Sequence, residues 1–128
     1  MNPAISTAVS GVQVHSKRFA ASAHNVANMT VVVPGDGLEQ QVGPFSVDPV
    51  SAVDGGVRGQ TRFLSPAYVP AHDPDHPLAD ANGTVGQVNV SLEQETVRQI
   101  EAQRAYEANL AVIKVGDSML GALLDQSS

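Results

Sequence analysis

The chain has 128 residues, 42% of them hydrophobic and 4% aromatic, with no cysteine, no tryptophan and a formal net charge of −6. That length holds one domain, or a helical module with a small second part. Without cysteine there are no disulfides or thiolate metal sites, and the acidic balance argues against a nucleic-acid partner, because phosphate binding needs a basic face.

The first predicted element opens at Asn2-Pro3, with Asn as N-cap and Pro at the first helical position, where its missing N–H costs nothing. From there Ile5, Val9, Val12, Ser16, Phe19, Ala23, Val26 and Thr30 keep a 4-3 spacing, and six of the eight are apolar. This is the pattern of a coiled-coil seam over more than three heptads. The same periodicity suits an amphipathic helix lying on its own domain core. Gly11 weakens this helix by about 1 kcal/mol relative to alanine without breaking it. Before it, no cationic segment leads into an apolar one, so no cleaved signal is expected.

The middle of the chain changes character at Val31. Residues 31–88 hold eight of the eleven glycines and seven of the eight prolines, which excludes a long helix. Short strands are predicted at Pro44–Val47, Gly56–Phe63 and Thr84–Val90, separated by turns at Pro34-Gly35, Asp54-Gly55 and Asn82-Gly83. Val31–Val33 reads either as a strand or as an extended exit from the helix. This region is also the acidic centre, with seven acids against Arg58 and Arg62.

Within it, His72-Asp73-Pro74-Asp75-His76 offers two imidazoles and two carboxylates. An H-x3-H spacing aligns metal ligands on one face of a helix, but Pro74 and Pro77 forbid a helix here. Asp73, Asp75 and Asp80 loosely follow a calcium loop, yet Leu78 stands where that loop needs glycine and Thr84 where it needs glutamate. A Pro-rich turn is the expectation, and no metal or other cofactor is called. The glycine clusters at Gly35-Asp36-Gly37 and Gly55-Gly56 lack the strand-to-helix setting and Lys-Ser/Thr pair of a phosphate loop. No motif singles out a nucleophile, and the sequence reads as no enzyme.

The last element begins at Ser91, with Gln94 three residues on as a capping box. A helix from there to Asp125 runs roughly 50 Å at ~1.5 Å per residue. Its first half is polar, with Glu95 and Arg98, then Glu101 and Arg104, spaced to pair at i,i+3. Its second half is apolar nearly all round, which requires cover on most sides. Glu107, Lys114 and Asp117 interrupt it before the ~20 apolar residues of a membrane span accumulate.

Three blocks then point to a family. Asn25-Val26-Ala27-Asn28 resembles the N-I/V-A-N signature of flagellar rod and hook proteins. Gly55-Gly56-Val57 with Asp73-Pro74-Asp75-His76-Pro77-Leu78-Ala79-Asp80-Ala81-Asn82-Gly83 is similar to the central pattern of the proximal-rod type of the bacterial flagellar basal-body rod protein family. Ile100-Glu101-Ala102-Gln103-Arg104-Ala105-Tyr106-Glu107-Ala108-Asn109 resembles that family's I-E-A-x-R-A-Y-E-A-N block. Departures fall at Thr84, Val88, Thr96 and over Met29–Gln41.

The resemblance implies a structural subunit exported without a cleaved signal and polymerised into the rod in the periplasmic space. Its partners would be other rod subunits and basal-body proteins, with no small-molecule substrate. The expected fold is mainly α with a small β insertion. In it, a terminal helix (residues 1–30) pairs antiparallel with another (89–128), around a Gly/Pro-rich β and loop subdomain (31–88). The expected subunit interface is Ile5, Val9, Val12, Phe19 and Val26 on the first helix, with Ile100, Tyr106, Leu110, Ile113, Leu120 and Leu124 on the second. Asn25, Asn28 and Asn109 are candidates for buried polar contacts that set register, by analogy with polar seam residues. The alternative is an export-associated adaptor or helical binding module that does not enter the rod.

Overall fold

The computed structural model describes residues 2–36 and 43–128. Gly37 of the Gly35-Asp36-Gly37 segment and the end of the Met29–Gln41 stretch lie outside these residues. In chain order the elements are α1 (Pro3–Ala27), β1 (Val32–Pro34), β2 (Phe45–Ser51), β3 (Val57–Phe63), β4 (Tyr68–His72), β5 (Thr84–Val88) and α2 (Leu92–Ser127).

Both helix starts are capped by side chains. Asn2 Oδ1 accepts from the Ala4 N–H at 2.8 Å, and Ser91 Oγ accepts from the Gln94 N–H at 3.4 Å. Glu93 and Glu95 in the first turn of α2 complement the partial positive charge of its N-terminus. The Glu93 carboxyl is held below its ordinary range by its own backbone N–H and then by the Ser91 hydroxyl.

The helices pack antiparallel. Ile5 lies against Gly116, Gly11 against Asn109, Arg18 beside Glu101, and Ser22 against Glu95. A Cβ on Gly11 would stand 2.5 Å from Asn109 Oδ1, so any larger residue here has to displace the Asn109 side chain. The contacts repeat at sevens, with Glu95, Ala102, Asn109 and Gly116 on α2. The seam within the chain is therefore made of small and polar residues.

On α1 the buried stripe is Ala8, Gly11, Ser22 and Asn25, flanked by Val14 and Ala21. This is the predicted 4-3 pattern slipped by one residue, about 100° round the helix. Ile5, Val9, Val12 and Val26 are left half-exposed and Phe19 exposed. Helix α2 buries only Glu95 and Ala102 over its 36 residues.

The middle of the chain folds into two antiparallel sheets, β1-β5-β4 and β2-β3. Val33, Tyr68 and Val85 are buried in the first. The β2–β3 hairpin pairs seven residues with seven, from Phe45↔Phe63 to Ser51↔Val57. It closes through Gly55 and Gly56 at φ +90° and +78°, a region that favours glycine. The hairpin lies along α1, with Phe45 bonded to Asn25 at one end and the Val57 N–H donating to Ser10 Oγ at the other.

These sheets correct the expected fold class. With two helices and five strands in two sheets the chain is a mixed α/β fold, not mainly α with a small β insertion. Strand β4 is absent from the expectation, β2 runs past the expected Pro44–Val47, and β1 settles the open reading of Val31–Val33 as a strand; all three carry proline, Pro34 in β1, Pro49 in β2 and Pro70 in β4. Each lies at a sheet edge, where a residue without an N–H leaves no ladder bond unmade. The proline content reads as loop in the sequence and as edge strand in the fold.

Candidate assembly interface

Asn25 is the best-anchored polar side chain. It is 1% exposed, its Nδ2 donates to the Phe45 carbonyl at 2.8 Å, and its Oδ1 accepts from the Phe45 N–H at 3.1 Å. These are the two bonds that a hydrogen-bonded partner makes in an antiparallel ladder. One side chain on α1 thus stands in for a strand and fixes the start of β2. The same Nδ2 lies 3.5 Å from Glu95 Oε1 on α2, so Asn25 ties helix, strand and helix at one point.

Glu95 completes the joint. It too is 1% exposed, and Arg98 donates to its Oε1, while Ser22 Oγ donates to its backbone carbonyl at 3.0 Å. Arg98 neutralises the buried carboxylate, as burial of a charge requires. Glu95 Oε2 and Ser46 Oγ are buried without a protein hydrogen-bond partner, and both residues border a cavity of about 140 Å³ between α1, α2 and β2. Polar walls and that volume suit ordered water. Asp48 and Arg62 close its outer side with a bond of 2.7 Å, which holds the Asp48 carboxyl below its ordinary range.

The other candidate polar residues bond locally. Asn28 Nδ2 donates to the His24 carbonyl at 2.8 Å, and Asn109 Nδ2 to the Ala105 carbonyl at 2.7 Å, each capping its own helix turn. Glu101 pairs with Arg18 across the helices at 3.9 Å, in place of the i,i+3 pairing with Arg104. In the His72–His76 segment, Asp80 Oδ1 accepts from the Asn82 and Thr84 N–H groups at 2.9 Å each, and the Leu78 N–H donates to His76 Nδ1. Those polar groups build the β4–β5 connection.

Most of the apolar candidates keep accessible surface within the single chain. Ile100, Leu110, Leu120 and Leu124 are exposed, Phe19 is 42% exposed, and Tyr106 and Ile113 are half-buried. Val97, Val112, Val115, Met119 and Leu123 extend the exposed set along α2. Single exposed apolar residues are ordinary, but on α2 they recur along its length and around its circumference. No helix among the described residues is long and apolar enough to cross a membrane.

Sequence reasoning missed Glu95 and Ser22 as joint residues. Glu95 and Arg98 are visible as an i,i+3 pair, but the partners that bury Glu95 come from 70 and 73 residues away. The available signal was the seven-residue period of Glu95, Ala102, Asn109 and Gly116, masked by the larger apolar residues between them.

Comparison with known proteins places this architecture. Residues 81–126 match the family described as flagellar basal body rod FlgEFG protein C-terminal. Over nearly its whole length the chain is similar to proteins named flagellar basal-body rod protein FlgC. It is 33% identical to that of Buchnera aphidicola subsp. Schizaphis graminum over 124 residues, 91% of this chain and 90% of the relative. It is 35% identical to that of Salmonella typhimurium over 115 residues, 87% and 86% of the two chains. With that of Agrobacterium fabrum the identity is 32% over 130 residues, 98% and 94%. A two-helix frame with exposed apolar side chains, matched end to end at this identity, places the chain in the flagellar basal-body rod protein FlgC family.

Proposed function

We propose that the chain is a structural subunit of the proximal rod of the bacterial flagellar basal body, and that it polymerises through its terminal helices into the drive shaft for motility. The observation that carries this reading is α2, a 36-residue helix that buries two residues and exposes large apolar side chains along its length. Such a helix is completed by other subunits. Burial of apolar surface contributes roughly 25 cal/mol per Å², enough for assembly to hold in place helices with little core of their own. Its partners are other rod subunits and basal-body proteins, and its location is the rod in the periplasmic space. The family is structural and not enzymatic.

In this reading residues 1–30 and 89–128 form the axial core, and residues 31–88 form a subdomain outside it. The contacts between subunits run through Ile5, Val9, Val12, Phe19 and Val26 on α1 and Ile100, Tyr106, Leu110, Ile113, Leu120 and Leu124 on α2. Asn25 supports that surface by holding the two helices and β2 in register.

A charge placed on this surface tests the reading. Ile113→Asp is expected to leave the chain soluble and to block its incorporation into basal bodies, assayed by immunoblot of the purified structures. Because Ile113 is half-buried, Leu110→Asp at an exposed position is the companion variant, with the same expected loss. Circular dichroism of both variants separates lost assembly from lost folding. Normal incorporation of both would count against the interface.

A further inference from the structure

Among the described residues the two sheets have four outer strands, and three of them carry proline: Pro34 in β1, Pro49 in β2 and Pro70 in β4. A proline on an edge offers a second chain one donor fewer, which blunts that edge against further pairing. Strand β3 has no proline. It pairs with β2 on one side and with no strand on the other.

Which backbone groups lie on that open side follows from the bonds of the hairpin. The Leu64 N–H donates to the Pro44 carbonyl and the Ala52 N–H to the Gly56 carbonyl. Even-numbered residues therefore bond across the hairpin, and odd-numbered ones turn their N–H and C=O outward. Phe45 and Val57 obey this phase: Asn25 takes both outward bonds of Phe45, and Ser10 Oγ accepts from the outward N–H of Val57. Next along β3 come Gly59, Thr61 and Phe63, all exposed. Their outward N–H and C=O groups have no partner among the described residues.

The side chains beside this edge are basic. Arg58 and Arg62 lie on β3, and Lys17 of α1 comes within 3.9 Å of where a Gly59 Cβ would stand. Among the described residues Arg58 and Lys17 form no ion pair, while Arg62 is held by Asp48. Neither β3 nor α1 carries an acid. The hairpin adds Asp48, already engaged by Arg62, and Asp54 at the turn, which makes no ion pair with Arg58. On a chain of net charge −6 this edge is a basic strip.

A second copy suits the edge poorly. Its other outer strands carry proline, and β3 laid antiparallel on β3 through the outward residues sets arginine opposite or diagonal to arginine in every register, which is destabilising. We propose that the open edge of β3 docks an extended acidic segment of a different protein, which adds to the β2–β3 sheet as a third strand. Alternating apolar and acidic residues fit it, with one face meeting Phe63, which is 60% exposed, and the other meeting Arg58. The edge belongs to the middle of the chain and not to the terminal helices, so the inference stands apart from the rod reading.

The test is fluorescence anisotropy of the full chain with a labelled, end-blocked peptide of alternating valine and glutamate, beside the same peptide with lysine for glutamate. Saturable binding of the glutamate peptide is expected, with the lysine peptide weaker by about tenfold or more. Thr61→Pro removes one outward N–H and no bond within the hairpin, so it should weaken binding about tenfold with the fold retained by circular dichroism. Thr61→Val keeps the N–H and should bind as the parent chain does, and Arg58→Glu should invert the preference between the peptides. If Thr61→Pro misfolds, the glutamate peptide N-methylated at every amide asks the same question from the other side, and it should not bind. No binding of the glutamate peptide, equal binding of the two peptides, or binding unmoved by Thr61→Pro or by N-methylation would each overturn the proposal. Self-association of the chain in sedimentation that Thr61→Pro abolishes would overturn it too, by making a second copy the occupant.

Discussion

Replacing Asn25 with alanine is expected to lower the unfolding free energy by about 2–4 kcal/mol, the cost of leaving a backbone N–H and C=O unpaired where water reaches them poorly. The Asn25 amide makes both backbone bonds of Phe45 on its side of the strand, at 2.8 and 3.1 Å, from a position 1% exposed. Alanine supplies neither donor nor acceptor, and it also removes the 3.5 Å contact to Glu95 Oε1. The loss should be read by urea unfolding of the purified chain. Asn25→Asp keeps the acceptor and loses the donor, and it adds a negative charge beside Glu95, so it should restore none of the lost stability. A change of less than about 0.5 kcal/mol on Asn25→Ala, the range of ordinary surface substitutions, would remove Asn25 as the anchor of β2.

Glu95→Ala is the second large effect, again about 2–4 kcal/mol, below the 3–5 of a fully buried broken pair because Arg98 is partly exposed and rehydrates. Two interactions depend on this side chain, the Arg98 pair and the Asn25 contact, while the Ser22 bond goes to the Glu95 backbone carbonyl and survives. Glu95→Gln keeps an acceptor toward Arg98 and Asn25 and places an amide beside the cavity that Ser46 borders. Its expected cost is about 1 kcal/mol, the loss of charge assistance in one hydrogen bond. Asn25→Ala and Glu95→Ala together should cost less than the sum of the two, since each already breaks the contact they share. Additive losses would mean that the helix pair and β2 are held independently.

The helix ends were legible because their causes are local: Asn2 with Pro3, and Ser91 with the run free of proline and glycine that follows. The same holds for β3 and β5, bounded by glycine turns at Gly55-Gly56 and Gly83. Strand β4 was not legible, because Pro70 excludes a central strand while an edge position tolerates it, and edge or centre is decided only by which strand β5 pairs with. The packing of the helices was half legible. The 4-3 apolar pattern marks a face of α1 that the chain itself covers only in part, while the face it buries is built from Ala8, Gly11, Ser22 and Asn25. Large side chains dominate a reading by hydrophobicity, and close antiparallel packing selects small ones. Glu95 illustrates the same limit, since nothing in its neighbourhood in sequence says that Asn25 and Ser22 will bury it.

The central claim, that this chain is a subunit of the rod, is tested most directly by deleting its gene and imaging isolated basal bodies by electron microscopy, with complementation by the intact gene. Rings without a completed rod and hook, restored by complementation, are expected. Complete rods and hooks with normal swimming in the deletion strain would contradict that claim and would favour an adaptor that uses the same helices outside the rod.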